Sequence, residues 1–122
     1  NSLQDRVRLL GHALVEELPA LYSGAELLAY PSSYEGFGLP IAEALACNTP
    51  VVACTGSCLE EAGGPGGLYV PPGEVEPLRE ALRQVLEDSA LARDLAAKGR
   101  EYVQRFGLET VSKELMGTYS AL

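Results

Sequence analysis

The chain has 122 residues, 47% of them hydrophobic and 21% charged, which fits one globular domain with a real core and excludes disorder, collagen-like repeats and a disulfide scaffold. A net charge of -8 argues against a phosphate-tracking nucleic-acid surface, which needs clustered Lys and Arg. No apolar run approaches the roughly 20 residues of a membrane span, and the polar start at 1–8 is not a signal-peptide core, so the expected location is cytoplasmic.

In chain order, VRLL at 7–10 reads as a short strand ended by Gly11, and EELPALYSG at 16–24 as a short helix closed by glycine. ELLAYP at 26–31 is a second strand. After the loop SSYEGFG, the run LPIAEALAC at 39–47 is a helix with Pro40 at its head, where the missing N–H costs nothing. TPVVAC at 49–54 is a third strand, and its continuous apolar character suits a parallel sheet covered on both faces. The glycine-rich EEAGGPGGLYVPPG carries LYV at 68–70 as a fourth strand. The remainder is helical: 75–86 places Val75, Leu78, Ala81, Leu82, Val85 and Leu86 at helix spacing, and 90–105 and 108–122 continue in the same way. Strands alternating with helices predict an α/β, Rossmann-like partial domain with about four parallel strands, helices on both faces and a helical C-terminal tail.

Charge is unevenly spread. Between Leu9 and Leu78 there is no Lys or Arg but there are nine glutamates, and all nine basic side chains lie towards the two ends. Cys47, Cys54 and Cys58 form an odd set with no bridged framework, and His12 is the single histidine. A zinc site would therefore be short of a fourth strong ligand, and no metal is expected.

The segment YPSSYEGFGLPIAEALACNTPVVA at 30–53 carries the chemistry. It strings together a strand end, a glycine-bearing loop, a helix start and a second strand, and open α/β sheets bind ligands at the carboxyl ends of their strands. Gly36 and Gly38 either let the backbone approach a ligand, with the N–H groups opening the next helix as an anion site, or simply make a tight turn. Glu35 falls in the loop and Glu43 in the first turn or so of the helix, with seven residues between them. A carboxylate accepts both hydrogen bonds of a vicinal diol, which suits ribose or a hexose. Otherwise Glu43 serves the helix dipole and Glu35 is plainly solvated.

These residues resemble the retaining GT-B glycosyltransferases, the family that includes glycogen, sucrose-phosphate and many lipopolysaccharide and mannosyl transferases. VRLLGHALVEELPALYSGAELLAYPSSYEGFGLPIAEALACNTPVVAC is similar to the late part of their second Rossmann-type domain. The Glu, seven residues, Glu spacing in EGFGLPIAE is among their most specific motifs, and LEEAGGPGGLYVPPG with the helical tail follows the family's order. The resemblance implies that Glu35 contacts the transferred sugar and that Glu43 holds the donor ribose. It implies that the backbone of Gly36, Phe37, Gly38 and Leu39 approaches sugar and diphosphate, and that the turn Gly11, His12, Ala13 borders the base. The donor substrate would be a nucleotide diphosphate sugar, with no cofactor and no bound metal, and its glycosyl group would pass to an acceptor with retention.

Asn48 stands where the family usually has Gly, at a turn whose left-handed backbone Asn tolerates. The family's diphosphate-clamping Arg and Lys belong to earlier units of this domain, and its acceptor site to a separate N-terminal domain. The resemblance thus implies that 1–122 is a single partial donor-binding domain, inactive alone, whose partner is that missing domain. The rival expectations are a noncatalytic nucleotide-sugar-binding module completed by a partner subunit, and a scaffold that kept only the fold. With the earlier units absent, 7–10 and 29–30 would lack strand neighbours. The chain would then form a homo-oligomer, or 7–10 would dock beside 26–30 and close a four-stranded sheet. Tyr22, Tyr30, Tyr34, Phe37 and Tyr69 read as packing residues rather than a base-stacking platform, and His12 as a solvated turn residue.

Overall fold

The computed structural model describes residues 3–33 and 36–107. Tyr34, Glu35 and the helix expected at 108–122 lie outside the described residues. The elements run α1 (Leu18–Gly24), β1 (Leu28–Tyr30), α2 (Leu39–Ala46), β2 (Val51–Cys54), α3 (Leu59–Gly63), β3 (Gly67–Val70), α4 (Val75–Glu87) and α5 (Ser89–Val103), with single 3-10 turns between and around them. The architecture is α/β, as expected.

The three strands form one parallel sheet in the order β1-β2-β3. Leu28 sits beside Val51 and Val51 beside Gly67. All four residues of β2 are buried, so both of its faces are covered, which is why its sequence shows no alternation. α2 packs on β1 and β2, α4 on β2 and β3, and α5 on α2 and α3. The core centres on Ile41, Leu45, Val51, Val52 and Leu59, all fully buried. Burying one such aliphatic side chain is worth roughly 1.5–3 kcal/mol.

Local signals explain the helix ends. α2 begins after Gly38, whose φ of 85° suits glycine, and Pro40 occupies its first turn. It stops in a Schellman arrangement: Thr49 N–H donates to Ala44 O at 2.9 Å and Asn48 N–H to Leu45 O at 3.0 Å. Asn48 adopts the left-handed φ of 64°, so the asparagine makes the turn a glycine would. The Asp88 side chain caps α5 by accepting from Leu91 N–H at 3.0 Å, a contact worth about 1 kcal/mol.

The glycines of the β2–β3 crossover and α5 are set by packing. A Cβ on Gly66 would lie 2.5 Å from the Gly99 Cα and 2.7 Å from Leu45 Cδ2, so α5 crosses there backbone to backbone. Tyr69 and Tyr102 hold the crossover from the side, Tyr69 donating its O–H to Gly64 O at 2.8 Å and Tyr102 to Glu61 O at 2.6 Å. The packing role read for Tyr69 is thus borne out.

One expected strand is absent. Residues 7–10 adopt no strand, and the sheet has three strands among the described residues, not four. VRLL has strand character, but a strand needs a neighbour, and 7–10 does not pair with β1. Closure of a four-stranded sheet by this segment is therefore overturned. Leu3, Val7, Leu9, Leu10 and Leu14 remain exposed, Leu9 at 94%. With an apolar stretch uncovered and no strand on the outer edge of β1 among the described residues, sedimentation over a wide concentration range is expected to show self-association of the 122-residue chain. A single monomeric species at every concentration would be the contrary result.

Candidate functional site

The loop after β1 and the head of α2 lie at the carboxyl end of the sheet. Gly38 O accepts the Ile41 N–H at 2.9 Å and the Ala42 N–H at 3.4 Å, and Pro40 has no N–H. The donors this turn can offer a ligand reduce to those of Gly36, Phe37, Gly38 and Leu39, a narrower anion site than an open helix start. The two glycines also separate. Gly38 answers to the turn itself: its φ is positive and a Cβ would come 2.8 Å from Leu59 Cδ2. Gly36 is exposed, and a Cβ there meets nothing within 4 Å, so its surroundings are open to an approaching molecule.

Neighbouring elements brace this loop. Cys58, from the loop after β2, donates its thiol to Gly36 O at 2.8 Å. The partly exposed Phe37 ring stands edge-on to Phe106, centroids 5.3 Å apart, and Phe106 stands edge-on to Tyr102 at 5.6 Å. Arg105 lies over the Tyr102 ring at 3.9 Å. Sequence reasoning missed Tyr102, Arg105 and Phe106 because no spacing signal ties the end of α5 to a loop so far upstream.

Glu43 occupies the second turn of α2, not its first, so the helix dipole does little for it. It is half-buried and faces the Tyr22 phenol of α1. Burial raises its carboxyl pKa above the ordinary glutamate value, and the facing Tyr22 phenol partly lowers it again. Burial, then the facing Glu43 charge, pushes the Tyr22 phenol well above the tyrosine range, so it remains a donor throughout the neutral range. Folded Glu43 therefore keeps its proton to a higher pH than the unfolded chain does. Its contribution to stability falls as pH rises from the ordinary glutamate pKa through the raised one, and is level beyond. Glu43→Gln is expected to remove that slope and to be the more stable protein at neutral pH. Urea midpoints measured across this pH range check it, and identical slopes for both proteins would contradict it.

The other expected site residues are dispersed. Glu35 falls outside the described residues. Gly11, with φ of 67°, and His12 are exposed and Ala13 is half-buried, all in the irregular stretch before the 3-10 turn Val15–Glu17; that stretch, and not the loop–α2 unit, carries them. Leu39 is exposed at the head of α2. Cys47, Cys54 and Cys58 form no disulfide. Burial raises the Cys47 thiol pKa, while Ser23 bonds to it and lowers it. Among the described residues, no three His, Cys, Asp or Glu side chains are grouped to hold a metal ion, and no helix is long and apolar enough to cross a membrane.

Residues 1–102 match the family model described as "Glycosyl transferases group 1". The chain is 36% identical over 116 residues to O-antigen chain mannosyltransferase B of Escherichia coli, a match covering 95% of this chain and 30% of that protein. Among solved structures it resembles the sucrose-phosphate synthase of Thermosynechococcus elongatus, with TM-score 0.80 and 36% identity over 95% of this chain and 32% of that one. It also resembles Anabaena HepE in complex with UDP-glucose, with TM-score 0.80 and 31% identity over 98% of this chain and 34% of that one. The chain thus spans about a third of the length of these relatives.

Proposed function

Since this chain belongs to the glycosyl transferases group 1 family, we propose that it is the donor-binding part of an enzyme that moves a glycosyl group from a nucleotide diphosphate sugar to an acceptor with retention of configuration. The observation that carries the reading is Glu43, a half-buried carboxylate on the helix that opens after the loop at the strand ends. A desolvated carboxylate suits the two hydroxyls of the donor ribose. Glu35 contacts the transferred sugar. The N–H groups of Gly36, Phe37, Gly38 and Leu39 face the sugar and diphosphate, and Gly11, His12 and Ala13 border the base. HepE, which this chain resembles, was solved with UDP-glucose, which supports a sugar nucleotide as donor.

In this reading the reacting carbon gains oxocarbenium character as the diphosphate leaves, so stabilisation is needed on the leaving group. Glu35 and Glu43 are not the acid and nucleophile of a glycosidase, because Glu43 serves the nucleotide. No metal or cofactor is assigned to the site. In this reading the acceptor site and the diphosphate cations come from a part of the enzyme that corresponds to the two-thirds of these relatives outside the match.

The test is Glu43→Ala in the full-length protein, titrated with UDP-, GDP- and ADP-sugars. Loss of hydrogen bonds to a charged group is worth about 1.5–3 kcal/mol, roughly tenfold to a hundredfold in affinity. Unchanged affinity for every donor in the panel would remove the reading, and an inverted product anomer, read by NMR, would remove retention.

A further inference from the structure

The loop between β1 and α2 carries glycine at 36 and 38, so its own sequence favours no single conformation. What fixes it comes from elsewhere in the fold. On one side stands the segment after β2, where the Cys58 thiol donates to Gly36 O at 2.8 Å and Leu59 packs against Gly38. The other contact comes from the end of α5, where the Phe106 ring meets the Phe37 ring edge-on, centroids 5.3 Å apart and planes at 86°. Phe106 is itself held. It ends the 3-10 turn Gln104–Phe106, which Gly107 closes with its N–H to Gln104 O at 2.9 Å, and it stands edge-on to Tyr102. Tyr102 is fixed in turn: its O–H donates to Glu61 O at 2.6 Å, and its ring fills the space over Gly64, where a Cβ would come within 2.5 Å of it. The chain of contacts runs from a braced ring on α5 to the one large side chain in the middle of a glycine-flanked loop.

We propose that Phe106 is a positioning residue for donor recognition: its edge-to-face contact with Phe37 holds the loop in the shape that turns the N–H groups of Gly36, Phe37, Gly38 and Leu39 toward the donor diphosphate. The inference rests on the reading of this loop as the neighbour of the diphosphate. The peptide planes that carry the Phe37 and Gly38 N–H groups meet at the Phe37 Cα, so a fixed ring fixes the hinge between them. With the ring released, glycine on both sides leaves that hinge free to turn. Binding would then have to order the loop as well as the ligand, and the entropy lost in doing so lowers the affinity. The effect is confined to the part of the ligand that the loop faces. Base and ribose, read as held by other segments, are unaffected.

The experiment uses the full-length protein and two readouts. NMR order parameters report the amides of 36–39, with those of β2 as internal reference, and calorimetry gives the affinities for UDP, GDP and ADP and for the corresponding monophosphates. Phe106→Ala is expected to lower the order of 36–39 and leave β2 unchanged. It should weaken the preferred diphosphate about threefold to tenfold, the range that an edge-to-face pair is worth, and leave the monophosphate unchanged. Phe106→Tyr, which keeps the ring, should restore both readouts. Adding Phe106→Ala to Phe37→Ala should change nothing further, because the contact acts through that ring. Equal weakening of monophosphate and diphosphate, no weakening of either, or full additivity in the pair means that Phe106 only packs, and overturns the proposal. Should Phe106→Ala fail to fold, Phe106→Leu, which keeps the apolar bulk and removes the ring edge, carries the same comparison. Gly36→Val tests the underlying reading, since a Cβ there meets nothing within 4 Å and added bulk obstructs only an approaching ligand. If Gly36→Val leaves every diphosphate affinity unchanged, the loop reading falls and takes this one with it. If it weakens the diphosphate and Phe106→Ala does not, this proposal alone falls.

Discussion

Titrated with UDP-, GDP- and ADP-sugars, the 122-residue chain on its own is expected to bind no more tightly than about 1 mM and to transfer nothing. A dissociation constant of 1 mM already requires about 4 kcal/mol. A helix start supplies about 0.3–1 kcal/mol, occasionally about 2, and here Pro40 and the bonds from Ile41 and Ala42 to Gly38 O thin out even those donors. The diphosphate brings about two negative charges to a stretch with nine glutamates and no Lys or Arg from Leu9 to Leu78. Three of the five cations of α4 and α5 are engaged: Arg79 pairs with Glu76, Arg83 with Glu80 and Glu87, and Lys98 with Asp94. Hydrogen bonds through Glu43 add part of the remainder, against the freedom lost on binding. Arg6 and Arg8 bear most directly on the outcome. A strand at 7–10 would have put them at the wrong end of the sheet, but the segment is irregular and both are exposed. Calorimetry decides the matter. A micromolar constant that collapses in Glu43→Ala would show a complete donor site in this chain, and Arg6→Ala and Arg8→Ala would then identify its cations.

The second large effect is expected at Gly99. A Cβ at this position would run into Leu45 Cδ2 and come 2.8 Å from the Gly66 Cα. Leu45 is fully buried and Gly66 is main chain in a glycine-rich turn, so neither side can yield cheaply. Overpacking of this kind typically costs 1–3 kcal/mol, and Gly99→Val, with two further methyl groups, is expected at about 3 kcal/mol or more. A small domain has only about 5–15 kcal/mol in total, so much of the fold would be lost. Gly24→Ala is the control: its Cβ meets nothing within 4 Å, and its effect should stay within about 0.5 kcal/mol. Urea unfolding compares the two, and equal midpoints would show that α5 does not press on β3's leading turn as described.

Elements whose signal is local were legible. α4 follows from Val75, Leu78, Ala81, Leu82 and Val85 at helix spacing, and β2 from an unbroken apolar run. Asn48 was correctly read as tolerating the left-handed turn, because that tolerance belongs to the residue itself. What failed depends on partners. The run at 7–10 has the composition of a strand, yet strand formation is decided by a neighbour that composition does not reveal. α3 was missed because five residues ahead of a glycine cluster give too little periodicity to register. At the site, the loop and Glu43 were visible in EGFGLPIAE, whereas Tyr22 reaching Glu43 from another helix, and Phe106 reaching Phe37 from the far end of the described chain, are tertiary facts. Glu43, the fifth residue of α2, lies in its second turn, although the helix starts at Leu39 as expected.

The crossing of α5 over the turn before β3 bears on how the polypeptide matures during synthesis. Strand order follows chain order, so β1, α2, β2 and β3 can each settle against the piece made just before. α5 then comes back, laying Gly99 on Gly66 and against Leu45. Until its last turn has left the ribosome, that side of α2 has no cover, and at about 5–20 residues per second the interval after β3 lasts on the order of seconds. During it the nascent chain presents an apolar face to whatever waits at the tunnel exit, so a pause placed after β3 would lengthen chaperone residence, and one placed before α2 would not.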